Sequence, residues 1–143
     1  MKQTTTADAT DDAILASGAT DISVEEARAL VKLFAEITTS KNVENFLSGF
    51  TEDCVVQYGE FPVMHGKDEL RPFVQNMFSD RLKDFVCQKT LRCLNGNVIG
   101  GTWTAKWVDA KSGKNKTGRG FEFWIMDGRR IARWDAAFNS WDD

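Results

Sequence analysis

Four side chains of this 143-residue sequence could carry acid–base or polar chemistry. Tyr58 ends an apolar run and could orient a carbonyl or hydroxyl group, or act as a weak acid if Arg119 lowered its pKa. His65 is the only histidine, and histidine is the side chain whose ordinary pKa lies near neutrality. Asp135 follows Trp134 directly and is a candidate general base. Their positions do not follow the ligand spacing of a zinc motif, so no metal site is predicted.

Each of these groups also has a structural interpretation. Tyr58 could end a strand with its hydroxyl in water. Arg119 lies beside the basic stretch 111–116 and could belong to a solvated hairpin rim. His65 precedes a predicted helix, where a lone histidine could simply contact backbone or water. These alternatives remain open on the sequence alone.

Composition excludes several classes of partner and cofactor. The net charge is −3 and 27% of the residues are charged, which disfavours binding to nucleic acid or to an anionic membrane. Three cysteines without CxxC spacing and no secretory leader favour free thiols in a reducing cytoplasm. The apolar runs are too short to cross a bilayer. No glycine motif that could cradle a phosphate is present, so no cofactor is expected.

Periodicity predicts helices followed by strands. Residues 1–20 read as a flexible arm and 21–143 as one domain. Ser23 and Glu26 form a predicted capping box at the start of the first helix. Asn95-Gly96 and Asp127-Gly128 are typical of tight hairpin turns, which pair neighbouring strands antiparallel. The predicted helices are 24–39, one carrying the apolar stripe from Val43 to Phe50, and 67–78; the predicted strands are 54–58, 84–94, 97–109, 116–126 and 129–139.

This order of elements, with three short motifs, resembles the NTF2-like superfamily and its SnoaL-like domains. The motifs are residues 50–53 (Phe-Thr-Glu-Asp) before the first strand, 65–70 (His-Gly-Lys-Asp-Glu-Leu) opening the third helix, and 128–134 (Gly-Arg-Arg-Ile-Ala-Arg-Trp) in the last strand. The resemblance covers about 23–139. It implies an α+β cone in which three N-terminal helices pack on a curved mixed, mainly antiparallel sheet around an apolar pocket.

The resemblance and strand alternation together predict an aromatic pocket. Phe34 is included because it matches the position of a tyrosine donor in the ketosteroid isomerases. The side chains expected to line the pocket are Phe34, Val56, Tyr58, Trp103, Ala105, Trp107, Arg119, Phe121, Phe123, Trp134, Ala136 and Phe138. An alternative is that these rings only fill the core of a small cone.

Alternation places Asp135 on the convex face of the sheet. The side chains expected beside it are Arg133, Glu122, Trp124 and Lys106. Many NTF2-like proteins dimerise through this face, so the resemblance implies a homodimer with an ion-pair set around Trp124. A β-bulge that shifted the register by one would instead turn Asp135 into the pocket as a general base.

The catalytic residues of the ketosteroid isomerases are not matched in this sequence. That family uses an aspartate base and two hydrogen-bond donors, and the resemblance places Tyr58, Phe34 and Phe121 at those positions. Phenylalanine cannot donate a hydrogen bond, and a neutral tyrosine is a poor base. The isomerase mechanism therefore does not transfer.

Two other reactions of the superfamily also lack their residues. Limonene epoxide hydrolases use an Asp-Arg-Asp set, and the matching positions are Trp103, Ala105 and Ala136. Dehydratases of the scytalone type use two histidines, whereas this sequence has one. The leading hypothesis is a protein that binds an apolar cyclic or aromatic metabolite, as an isomerase, lyase or cyclase; the alternative is a non-catalytic ligand-binding or dimerisation module.

Overall fold

The computed structural model of the protein describes residues 21–143, and the predicted arm at 1–20 lies outside the described residues. The predicted α+β cone is confirmed: three helices accompany one curved, mixed, six-stranded sheet. The elements are α1 (Val24–Ser40), α2 (Val43–Ser48), β1 (Phe50–Tyr58), β2 (Met64–His65), α3 (Gly66–Met77), β3 (Leu82–Asn95), β4 (Val98–Asp109), β5 (Asn115–Asp127) and β6 (Arg130–Asp142).

Helix α1 begins at the predicted capping box. The Ser23 hydroxyl accepts a hydrogen bond from the backbone N–H of Glu26 at 3.1 Å, and the Glu26 side chain bonds back to the backbone of Ser23. These bonds satisfy N–H groups that the first turn leaves unpaired. The helix ends at Lys41, which adopts the left-handed conformation. Its buried stripe is Ala27, Leu30, Val31, Phe34 and Thr38.

Helix α2 is shorter than its apolar stripe suggests. Phe50 is part of that stripe in the sequence, yet it begins β1. The chain leaves the helix at Gly49, where a Cβ atom would lie 2.2 Å from the ring of Phe34. Only glycine allows this approach, and the Gly49 carbonyl then accepts a hydrogen bond from the N–H of Ile131 at 2.7 Å. Tertiary contact with α1 and β6 therefore ends the helix early.

The sheet has the strand order β2-β1-β6-β5-β4-β3. Strands β1 and β6 run parallel, and the other neighbours are antiparallel. The helices cover one face, called the inner face here, and the opposite face is called the outer face. The core between helices and sheet contains the mutually contacting rings Phe34, Phe46, Phe50, Trp124 and Trp134.

A β-bulge in β6 sets the register of the site. Met126 pairs with Ile131, but Ile125 pairs with Arg133, so Ala132 is an extra residue on β6. In an unbroken hairpin Trp134 would lie opposite Phe123. The bulge places Trp134 opposite Trp124 instead. The β5 residues that share a face with Trp134 are therefore not those that an unbroken hairpin would give.

Part of the predicted pocket lining is wrong, because the bulge changes the alignment of β5 with β6 and the unbroken β4–β5 ladder places Gly120, not Arg119 or Phe121, beside Trp103. Arg119, Phe121 and Phe123 lie on the outer face, where Phe121 is 58% and Phe123 is 53% exposed. Glu122 and Trp124, expected beside Asp135 on the convex face, are buried on the inner face. The inner-face residues of β5 are Gly118, Gly120, Glu122, Trp124 and Met126.

None of the helices within residues 21–143 is long and apolar enough to span a membrane.

Candidate functional site

A cavity of about 200 Å³ lies between the inner face of the sheet and the helices. Its wall is mainly aromatic, which suits contact with flat apolar ligands. The rings on the wall are Phe46, Tyr58, Phe61, Phe73, Phe85, Trp103, Trp107, Trp134 and Phe138. The cavity is also lined by Arg81, Cys87, Lys89 and Ala105. The interior is therefore not filled by its own rings.

Two glycines of β5 leave space for the indole rings of the β4 tryptophans. A Cβ atom on Gly120 would lie 2.6 Å from the ring of Trp103, and one on Gly118 would lie 3.1 Å from the ring of Trp107. Trp103 pairs directly with Gly120 across the two strands. The missing side chains thus let both indoles approach the backbone of β5 closely.

Tyr58 lies on the cavity wall among aromatic rings. Its ring centroid is 5.0 Å from those of Trp134 and Phe138 and 5.2 Å from that of Phe73. Burial raises the pKa of the Tyr58 hydroxyl, and the negative charge of Glu122 raises it further. The phenol therefore stays protonated at neutral pH, where it can donate a hydrogen bond but cannot act as a base.

The suggested influence of Arg119 on Tyr58 is not supported by the geometry. The Arg119 guanidinium lies 5.8 Å from the ring centroid of Phe121 on the outer face. It therefore cannot lower the pKa of a hydroxyl on the inner face by direct contact.

A buried carboxylate behind the cavity wall is one that strand alternation placed on the wrong face. Glu122 is 4% exposed and lies behind the wall. Its Oε1 atom accepts hydrogen bonds from the indole N–H groups of Trp124 at 3.2 Å and Trp134 at 3.0 Å. Its Oε2 atom accepts one from the Lys89 ammonium at 2.7 Å. The carboxylate is thus fixed by three donors.

Lys89 lies on the cavity wall and was not among the predicted site residues. Its side chain is 8% exposed, and its Nζ atom lies 6.0 Å from the ring centroid of Trp103 and 5.7 Å from that of Trp124. Cys87, two residues earlier on β3, also lines the cavity. Burial raises the pKa of the Cys87 thiol, so it stays protonated and unreactive.

His65 lies away from the cavity. It is exposed at the position before α3, and its backbone N–H donates to Oε1 of Glu69 at 2.7 Å. Its side chain makes no capping hydrogen bond. The geometry gives no support to a catalytic role in this cavity.

Asp135 also lies outside the cavity, on the outer face. The Arg133 guanidinium donates two hydrogen bonds to its carboxylate, at 3.0 and 3.1 Å. The bulge changes which residues of β5 oppose β6, but Trp134 still faces inward and Asp135 outward. Asp135 therefore does not face the pocket.

The other predicted lining residues fall into two groups. Tyr58, Trp103, Ala105, Trp107, Trp134 and Phe138 lie on the cavity wall, and their part in ligand binding stays a prediction. Phe34 and Val56 are packed in the core, 3% and 0% exposed, and do not reach the cavity. Within 21–143 no group of three or more histidine, cysteine, aspartate or glutamate side chains could hold a metal ion.

Comparison with known proteins identifies the family. The sequence model of the SnoaL-like domain matches residues 30–134, and the chain belongs to this family. No curated protein matches the sequence.

Solved structures share the fold at low sequence identity. A proposed polyketide cyclase from Xanthomonas campestris pv. campestris has 17% identity and a TM-score of 0.68, over 80% of this chain and 91% of that one. A proposed isomerase from Bacillus subtilis has 14% identity and a TM-score of 0.69, over 80% and 87%. An NTF2-like protein of unknown function from Burkholderia pseudomallei has 14% identity and a TM-score of 0.68, over 80% and 91%.

Proposed function

We propose that the protein binds a small apolar metabolite, aromatic or cyclic, in the cavity of the cone and acts on it as an isomerase, lyase or cyclase. The observation that carries the proposal is an unfilled cavity of about 200 Å³ whose wall is built mainly of aromatic rings. Such walls bind flat apolar molecules through buried area and ring contacts. The cyclase and isomerase descriptions of the similar structures support the same class of reaction.

The polar groups at the cavity define what catalysis could use. Tyr58 is a protonated donor that could orient a carbonyl or hydroxyl group of the ligand or stabilise charge developing on it. The Lys89 ammonium is a second donor on the wall. Catalysis would then rest on positioning and on hydrogen bonds to an oxygen of the substrate.

Filling the cavity tests whether ligands bind there. Ala105 lies on the wall and is 3% exposed, so Ala105→Leu places three additional carbon atoms in the cavity. A panel of aromatic and alicyclic compounds is screened by thermal shift, and Kd values of the stabilising compounds are measured by calorimetry. We expect Ala105→Leu to weaken binding about tenfold or more, which equals about 1.4 kcal/mol.

Thr104→Leu is the matched control, because Thr104 is the neighbouring residue, exposed on the outer face. It should leave the Kd values unchanged. If no compound stabilises the wild-type protein, or if both variants bind as the wild type does, the cavity is not a ligand site.

A non-catalytic binding module is the second candidate. It is favoured by the positions of His65 and Asp135, since the two predicted titrating groups other than Tyr58 lie outside the cavity. Compounds that bind are incubated with the protein and analysed by mass spectrometry and chromatography. Conversion that Tyr58→Phe slows identifies an enzyme, whereas binding without conversion of any bound compound identifies a binding module.

We also propose a homodimer through the outer face, with Phe123 in place of Trp124 at its centre. Phe121, Phe123 and Trp141 are 58%, 53% and 47% exposed there, beside the Arg133–Asp135 ion pair. Light scattering should give a dimer mass for the wild type and a monomer mass for Phe123→Lys. Leu33→Lys, at an exposed position of α1, should remain dimeric. A wild-type monomer would contradict the proposal. A cytoplasmic location stays a prediction from the sequence.

A further inference from the structure

The Lys89 ammonium has more N–H donors than it has acceptors around it. Within the part of the chain that the structure describes, its ammonium donates one hydrogen bond, to Oε2 of Glu122 at 2.7 Å. A lysine ammonium carries three N–H donors. The rings of Trp103 and Trp124 also lie near it, with centroids 6.0 and 5.7 Å from Nζ. The remaining N–H groups are therefore available to an acceptor that enters the cavity.

An oxygen of a bound ligand would satisfy these donors. Buried N–H groups without an acceptor are costly, and hydrogen bonds from charged donors are stronger than those from neutral ones. Lys89 is on the cavity wall, whereas Glu122 is not. The ammonium, and not the carboxylate, is thus the member of the ion pair that a ligand can touch.

The charge of Glu122 determines which kind of oxygen fits. Because the Lys89–Glu122 pair is already neutral, a carboxylate ligand would bring a second negative charge close to a buried carboxylate. An uncharged acceptor such as a carbonyl oxygen brings no such repulsion. Tyr58 also lines the cavity as a neutral donor and adds no positive charge that would attract a carboxylate.

We propose that Lys89 is the polar anchor of the ligand and donates to an uncharged oxygen acceptor on an aromatic or alicyclic ring system, with Glu122 as its positioning residue. Glu122 holds the ammonium at the wall and neutralises it, while the indoles of Trp124 and Trp134 hold Glu122. At Lys89 the cavity therefore selects neutral oxygenated rings over hydrocarbons and over carboxylates. This inference rests on the proposed function, because it requires that ligands enter the cavity.

Three ligands of similar shape test the inference: α-tetralone, tetralin and tetralin-carboxylate. Their Kd values are measured by calorimetry on the wild type and on the double variant Lys89→Met/Glu122→Gln. This double variant removes both charges while the glutamine oxygen still accepts from the two indoles, so it should fold. We expect the wild type to prefer α-tetralone over tetralin about tenfold to hundredfold, the range for a charged hydrogen bond. The double variant should bind both compounds equally and should keep the wild-type Kd for tetralin.

The single variant Glu122→Gln tests the positioning role. It leaves the ammonium without its counter-charge, so tetralin-carboxylate should bind about tenfold more tightly than to the wild type. A change in stability alone would not invert this preference between ligands.

The outcomes separate the two proposals. If α-tetralone and tetralin bind the wild type equally, or if the double variant keeps the preference, Lys89 is not the anchor, although the cavity binds ligands. If the wild type binds the carboxylate most tightly, the neutral-acceptor preference is wrong. If none of the three compounds binds, the proposed function fails and the anchor role falls with it.

Discussion

Lys89 on β3 and Glu122 on β5 form an ion pair of 2.7 Å across the inner face of the sheet, although β4 separates the two strands. The β4 residue opposite Glu122 is Gly101, which has no side chain to come between the charges. Both side chains are more than nine-tenths buried. The long lysine side chain and the glycine in β4 thus allow an ion pair between two strands that are not neighbours.

Loss of the Glu122 carboxylate should destabilise the protein strongly. Glu122→Leu leaves the Lys89 ammonium and the two indole N–H groups of Trp124 and Trp134 without their acceptor. We expect the free energy of unfolding to fall by about 3–5 kcal/mol, the range for breaking a buried ion pair from one side. Urea denaturation followed by tryptophan fluorescence measures it.

The matched comparison is Asp135→Asn, which removes the charge from a pair whose carboxylate is 42% exposed. We expect a loss of less than about 1 kcal/mol there. Equal losses in the free energy of unfolding for the Glu122 and Asp135 variants would show that burial does not determine the cost of breaking these ion pairs.

The single tyrosine should resist ionisation. Burial, and after it the charge of Glu122, raises the pKa of Tyr58 above its ordinary value. A group with a raised pKa in the folded state contributes stability below its unfolded pKa, about 10 for tyrosine, and loses it as the pH rises further. Native protein should therefore show no tyrosinate absorbance as the pH passes about 10.

Wild-type stability should also fall more steeply than that of Tyr58→Phe above about pH 10. Thermal melts of both proteins across this range measure the difference. Parallel curves, or a tyrosinate signal at about pH 10 in the folded protein, would show that Tyr58 is in contact with water.

The three cysteines should differ in reactivity. Burial raises the pKa of Cys54 to about 11 and also raises that of Cys87, whereas Cys93 is exposed. Because the thiolate is the reactive form, one thiol per chain should react with dithionitrobenzoate in the native state. All three should react after denaturation.

Cys93→Ser serves as the control and should abolish the fast reaction. Fast labelling in that variant would mean that the cavity admits the reagent to Cys87 in its ionised form.

A methyl group at Gly120 should disturb the packing of the Trp103 indole. Its Cβ would lie 2.6 Å from the indole and 2.7 Å from the backbone oxygen of Ala137, and backbone atoms of a central strand cannot move aside easily. We expect Gly120→Ala to lower the free energy of unfolding by about 1–3 kcal/mol, as overpacking does, and to weaken ligand binding.

Arg119→Ala changes the adjacent exposed residue and should stay within about 0.5 kcal/mol of the wild type. Chemical denaturation of both variants provides the measurement. A neutral effect of Gly120→Ala would mean that the indole has room to shift.

Most of the fold could be predicted from the sequence, because local signals carry it. The capping box at Ser23 and the hairpin dipeptides at Gly96 and Gly128 each act over a few residues. The end of α2 could not be predicted, since the close approach of Gly49 to Phe34 belongs to tertiary packing.

The candidate site was less predictable for a related reason. Alternation assigns faces correctly only within an unbroken register, and nothing in the sequence announces the extra residue Ala132. Glu122 was therefore expected on the outer face. Lys89 could not be predicted as a site residue, because a lysine in a strand usually faces solvent. The unbroken β4–β5 ladder pairs Gly120 with Trp103 and thereby places Glu122 on the same face as Trp103.

The bulge at Ala132 also bears on how this protein can be compared and redesigned. In a hairpin of the same length without the bulge, Trp134 would share its face with Phe121 and Phe123 in place of Glu122 and Trp124, so its indole would lose the buried carboxylate that accepts its hydrogen bond. A sequence alignment with its gap one position away from Ala132 would assign the same residues to the opposite face of the sheet. Transfer of these inner-face side chains to another protein of the same fold therefore requires that the β-bulge be transferred with them.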